Sequence, residues 1–223
     1  NRNQTSAGEH INAILNGDGS QELGDVFALL ANIHDRDVAI EMMDKLHGEG
    51  YAANGVTSYN AGLSFRGLMQ QQAGSAQTGH CSESDCGWVI SNTAELSLPG
   101  TFETRAITAM YSTTALGWHT RTEAGYDIGV AYGAQEGSTT SGAVYGSGFG
   151  GHNVGIYGFG QMNGFDVSGT LRYGQSTHSG TRQVGMSGSL PDGTALAFGS
   201  GTSDHKLSQF GLNVAASRTM PLG

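Results

Sequence analysis

With 223 residues the chain is long enough for one sizeable core or for two modest pieces. Only 13% of it is charged, about half the usual quarter of a soluble domain, and its 37 glycines far exceed the usual share of roughly 7%, a composition that argues against an ordinary cytosolic enzyme. The net charge is −9 and the only lysines are Lys45 and Lys206, so no basic stripe exists and nucleic acid is not an expected partner.

No run approaches 18 apolar residues, so no transmembrane helix is expected. No signal-peptide pattern opens the chain, which starts at Asn1 and reads as a fragment or processed product. Residues 1–70 are helical in pattern. Leu23, Val26, Phe27, Leu30 and Ile33 keep one helical face, and Val38, Met42 and Leu46 repeat it, with Asp37 as N-cap and Gly48 as stop. A third helix is expected over 57–70, carrying Tyr59, Leu63, Phe65, Arg66 and Met69. Residues 71–86 are small and polar and read as a connector holding the chain's two cysteines, Cys81 and Cys86. An exported protein would oxidise this pair into a small exposed loop; free thiols are the alternative, and a metal site would have only His80 to add.

Residues 87–223 read as strand after strand, with candidates at 87–97, 102–119, 125–134, 141–147, 152–162, 165–174, 182–190, 194–200 and 207–217. In the clearest of them Phe165, Val167, Gly169, Leu171 and Tyr173 alternate with Asp166, Ser168, Thr170 and Arg172, which gives one apolar and one polar face. Tyr126, Ile128, Val130 and Tyr132 likewise alternate with Gly125, Asp127, Gly129 and Ala131. Asn163-Gly164 is the strongest short hairpin signal. Consecutive strands with short turns predict an antiparallel up-and-down meander. A sheet greasy on one side and wet on the other fits the wall of an outer-membrane barrel, with Tyr126, Ile128, Val130, Tyr132, Phe165, Val167, Leu171 and Tyr173 facing lipid. Asp127, Asp166, Ser168, Thr170 and Arg172 would then face the lumen.

Motifs for chemistry are sparse. Gly146, Gly148 and Gly151 match GxGxxG, but a strand follows where a phosphate-binding helix is needed. Asn16, Asp18, Gly19 and Asp25 fall at positions of a calcium loop whose first ligand position is Ile14, so a capped turn is the better reading. Asn3-Gln4-Thr5 is a formal glycosylation sequon that reads as chance. There is no HExxH, no GxSxG, and no histidine pair at ligand spacing. No catalytic residue, metal or cofactor is expected.

The order of several loose motifs resembles the translocator region of bacterial autotransporters (type V secretion). These are Asn3-Gln4 near a short helix, then Leu46-His47-Gly48-Glu49-Gly50-Tyr51-Ala52, a helix with Phe65 and Met69, and a barrel opening at Gly87-Trp88. Later stretches, GYDIGVAYG, VGIYGFG and FDVSGTLRYG with Arg182 after them, look like the family's strands. The resemblance implies a β-barrel in the outer membrane of a Gram-negative bacterium, monomeric and inserted by the barrel-assembly machinery. It would export or anchor an N-terminal passenger, with the 57–70 helix in its lumen, where Arg66 would meet Asp127 or Asp166. That family's barrel has twelve strands and ends in an aromatic residue, whereas this chain ends Thr219-Met220-Pro221-Leu222-Gly223, so an incomplete barrel of about seven to nine strands is expected. The alternative is a soluble, surface-exposed β-protein acting as an adhesin or carbohydrate-binding module.

Overall fold

The structure, a computed structural model, describes residues 49–77, 85–101, 104–142, 145–183 and 200–218. The two expected helices before Gly48, the Asn16–Asp25 loop, Cys81 and most of the 182–190 and 194–200 strand candidates lie outside them. The described chain is mainly β. One helix, α1 (Glu49–Gln77), precedes β1 (Asp85–Leu98), β2 (Ile107–Arg121), β3 (Asp127–Ser141), β4 (Tyr145–Met162), β5 (Phe165–Gln183) and β6 (Ser200–Ser217). The strands form a single open sheet in sequence order, every neighbour antiparallel, as the short breaks and turn residues predict. Asn163 (φ 52°) and Gly164 (φ 78°) both take the left-handed conformation that a two-residue hairpin with right-handed strand twist requires.

Most of the described strands are longer than their apolar alternation suggests, although β2 starts at Ile107 rather than at the expected 102. The expected 141–147 strand does not exist as a unit. It divides at the Gly142 turn between the end of β3 and the start of β4, and β4 then runs on through 152–162. Gly133–Thr140 carries small and polar side chains on both faces, and over Gly146–Gly151 only Phe149 is large and apolar, so the period-two signal fades while the backbone ladder continues. β1 begins two residues earlier than expected and takes Cys86, which is disulfide-bonded, out of the connector and into a strand.

α1 is longer than the 57–70 expectation and is a poor helix by propensity. Gly50, Gly55, Gly62 and Gly67 each cost about 1 kcal/mol relative to Ala. What holds it is one face buried on the sheet: Asn54, Thr57, Ser58, Ala61, Phe65, Leu68 and Met69, at helical spacing. Phe65 and Met69 lie on strand glycines; a Cβ at Gly133 would sit 2.5 Å from the Phe65 ring, and one at Gly155 would sit 2.6 Å from Met69 Sδ. The helix runs along β6, with Tyr51 against His205 near one end and Gln70 bonded to Asn213 near the other, yet it also touches β1. Six flat strands would separate those edges by about 24 Å, twice a helix diameter. The sheet therefore curls around α1.

Candidate functional site: a polar interior and an apolar outer belt

The face of the sheet toward the helix mixes two apolar clusters, around Phe65 and Tyr157 and around Tyr111 and Phe149, with a larger number of buried polar side chains. Toward the helix, the buried side chains are largely polar: Thr113, His119, Asp127, Gln135, Thr139, Asn153, Thr170, Arg172, Ser176 and His178. Many of them pair with α1 or with each other, as burial demands, while His119 Nε2 and His178 Nδ1 have no partner among the described residues. Asn54 donates to Tyr145 Oη and accepts from Ser147 Oγ, both at 2.7 Å. Thr139 donates to Thr57 at 2.8 Å. Gln135 donates to the Ala61 carbonyl and accepts from Asn153 at 2.7 Å, so one strand amide bridges the helix backbone and the next strand.

Ser58 Oγ lies 2.8 Å from Ser176 Oγ and 2.6 Å from His178 Nε2. The His178 ring is fully buried and stacked on Phe149, with centroids 5.0 Å apart, and its Nδ1 has no hydrogen-bond partner among the described residues. Burial, and then the neighbouring His205, pull its pKa down to about 4, so the ring is neutral near pH 7. Among the described residues no carboxylate orients this imidazole, and Ser58 is buried between the helix and the sheet, so the pair ties α1 to β5.

The opposite face carries a belt of large apolar side chains in register. One row crosses all six strands: Val89, Leu116, Tyr132, Val154, Tyr173 and Phe210, each directly paired with the next. The next row is Trp118, Val130, Ile156, Leu171 and Leu212, beginning from Gly87. Ile128 and Val214 follow in the third row, with Tyr126, Met162 and Phe165 at the end that holds the short turns. Most of these side chains stand open: Val89 is 76% exposed, Ile156 52% and Phe210 72%.

The belt stops abruptly. One row further from the short turns the outer face reads Thr114, Ala134, His152, Gln175 and Ser208, and the row after it Ser112, Glu136, Gly150, Thr177 and Lys206. At that boundary Tyr132 Oη and His152 Nδ1 are 2.6 Å apart. From Phe165 to Tyr173 the belt covers about 26 Å of strand at ~3.3 Å per residue. With a strand tilt near 40° that is a height of about 20 Å.

The residues singled out in the sequence fall on these two faces. Tyr126, Ile128, Val130, Tyr132, Phe165 and Tyr173 are exposed on the belt side, and Val167 and Leu171 are half-buried there. Asp127, Thr170 and Arg172 are buried on the helix side, with Asp166 and Ser168 partly covered. The expected pairing of Arg66 with Asp127 or Asp166 does not occur. Asp127 is held in a fork by Arg121, at 3.0 and 2.9 Å, and Asp166 accepts from Gln161 at 3.0 Å in the hairpin. Arg66 instead lies near Arg172. Among the described residues no group of three or more His, Cys, Asp or Glu could hold a metal ion. No helix among them is long and apolar enough to cross a membrane.

Sequence reasoning missed the helix-to-sheet polar network of Asn54, Ser58, Gln135, Tyr145, Ser147 and His178. The available signal was the run Asn54, Thr57 and Ser58 on the same helical stripe as Ala61 and Phe65, a polar start to a face that buries. No family model matches the chain, and no curated protein matches it.

Proposed function

We propose that this chain forms part of the wall of an outer-membrane β-barrel that moves or anchors an N-terminal passenger, in the manner of an autotransporter translocator. The observation that carries the reading is the polarity of the two faces: a continuous apolar row across six strands on the outside, over a buried face rich in Asn, Gln, Ser, Thr and His. Left in water, that belt would be an apolar patch far larger than a soluble monomer tolerates. In a bilayer it matches the apolar band about 25 Å tall that such barrels present.

The course of the helix supports export. The amino-terminal part of α1 meets Tyr145 and Ser147, at the polar strand ends, and Gln70 lies level with the belt beside Asn213. A chain leading into α1 therefore enters from the polar, water-facing end and is held along its length inside the curl. In this reading β1 and β6 are paired on their outer sides in the assembled protein, because lipid does not tolerate an open strand edge. The portion works by shape and polarity, as a monomeric barrel inserted by the barrel-assembly machinery, with no catalytic residue or cofactor of its own.

The test is to express the full-length gene with an N-terminal tag in a Gram-negative host. Heat-modifiable migration of the membrane fraction and protease access to the tag on intact cells are the expected results. A full-length product that stays soluble in the periplasm, as an adhesin or carbohydrate-binding module would before release, refutes the assignment.

A further inference from the structure

Arg172 is buried, 4% exposed, on the helix side of β5. Its side chain crosses Gly211 of β6, where a Cβ would lie 2.8 Å from its Nε, and ends against Gly62 of α1, where a Cβ would fall on the guanidinium itself. A glycine on each wall thus makes a slot for one long cation. Within the slot, Nη1 donates to Gln209 Oε1 at 3.3 Å, a single long bond for a group with five donors. Arg66, one helical turn beyond Gly62, is close enough to repel Arg172, and its Nε is buried with no hydrogen-bond partner among the described residues.

No carboxylate whose side chain is described bonds to either arginine. Asp127 and Asp166 are engaged by Arg121 and Gln161. Asp85, Glu95, Glu136 and Asp204 are exposed on the strand face turned away from the helix. A buried cation beside a second, half-buried one, with no counter-charge among the described residues, is unfavourable. Arg172 lies over Gly211 of β6, the last strand of the sheet, whose far edge has no partner among the described residues. The belt side of β6 is correspondingly bare, with Phe210, Leu212 and Val214 at least 70% exposed.

We propose that the strand pairing with the free edge of β6 carries an Asp or Glu on its helix side, level with Gly211, and that Arg172 and Arg66 together grip that carboxylate. The inference rests on the barrel reading for the existence of that strand. It adds the chemistry by which the strand is recognised and tied to the helix. Charge complementarity selects this occupant over an uncharged strand, and Gly211 leaves the guanidinium an open path to the edge.

The experiment uses the full-length protein folded in lipid vesicles and reads the sign of the change in its heat-modifiability midpoint. If a carboxylate is gripped there, Arg172→Met strands it, and the midpoint falls by about 10 °C. Arg172→Lys, which keeps the charge and loses the fork, falls by less. Gln209→Glu, which places a carboxylate against Nη1, gives no gain, because it crowds one already present. If water alone fills the slot, the signs reverse: Arg172→Met is neutral or raises the midpoint by relieving repulsion with Arg66, and Gln209→Glu raises it. That second pattern overturns the proposal. Absence of any heat-modifiable, membrane-inserted form would instead count against the barrel reading, so the two failures are distinguishable.

Discussion

Arginine placed along one strand separates a membrane wall from a water-soluble sheet. On β4, Ile156 and Val154 are 52% and 50% exposed, and His152 stands one row further from the short turns, all on the outer face. In water the three sites are equivalent exposed positions, and replacing any of them with Arg should change stability by no more than about 0.5 kcal/mol. In a bilayer they sit at different depths. Ile156 lies in the second apolar row, with Val130 and Leu171 beside it, and Ile156→Arg should cost about 2–4 kcal/mol near the midplane. Val154, in the row that borders the polar half, should cost less, about 1 kcal/mol, and His152→Arg close to nothing. The assay is a denaturant titration of the full-length protein in vesicles, followed by tryptophan fluorescence and by heat-modifiable migration. A flat profile, with Ile156→Arg as mild as His152→Arg, would refute the assignment of this face to lipid.

Three further outcomes are expected. His178 is pulled from an ordinary value near 6.5 to about 4, so the unfolded chain binds more protons than the folded one between those values. Its contribution, on the order of 3 kcal/mol, is therefore complete above pH 6.5 and lost as the pH falls toward 4, and a His178→Gln variant should flatten the stability–pH profile over that window. Phe65→Ala removes the ring seated on Gly133 and should destabilise the folded protein by about 3–5 kcal/mol, with faster amide exchange throughout α1 but not in β3. Gly164→Ala forces a side chain into φ 78° and should cost about 1 kcal/mol in unfolding experiments, while Gly67→Ala, with open space around it, should stabilise.

Much of the sheet was legible in the sequence, because the residues that set it act locally. Asn163-Gly164 fixed a hairpin, and alternation from Tyr126 to Tyr132 and from Phe165 to Tyr173 separated the two faces. The same rule weakened over 133–151, where Gly, Ser and Thr are frequent on both faces and Tyr145 and Phe149 are the large apolar side chains described, and there one expected strand dissolved into parts of two. The interior was harder to read. Whether Asn54 meets Tyr145 or Arg66 meets an acid depends on which strand the curl brings under which turn of the helix, and no local period encodes that. Asp127 illustrates the difficulty: its partner, Arg121, came from six residues away rather than from the helix.

The bonds that hold α1 close loops of very different size from those that hold the sheet. Neighbouring strands are joined by short connections such as Asn163-Gly164, whereas the side-chain bonds from α1 to the strands span 74 to 143 residues of chain. Contact order therefore places the helix late in folding, after hairpins that need little loop entropy. Its glycines keep it from forming early alone. The segment can thus remain extended while the hairpins form, and it seats only once Asn54, Ser58 and Gln70 find their bonds.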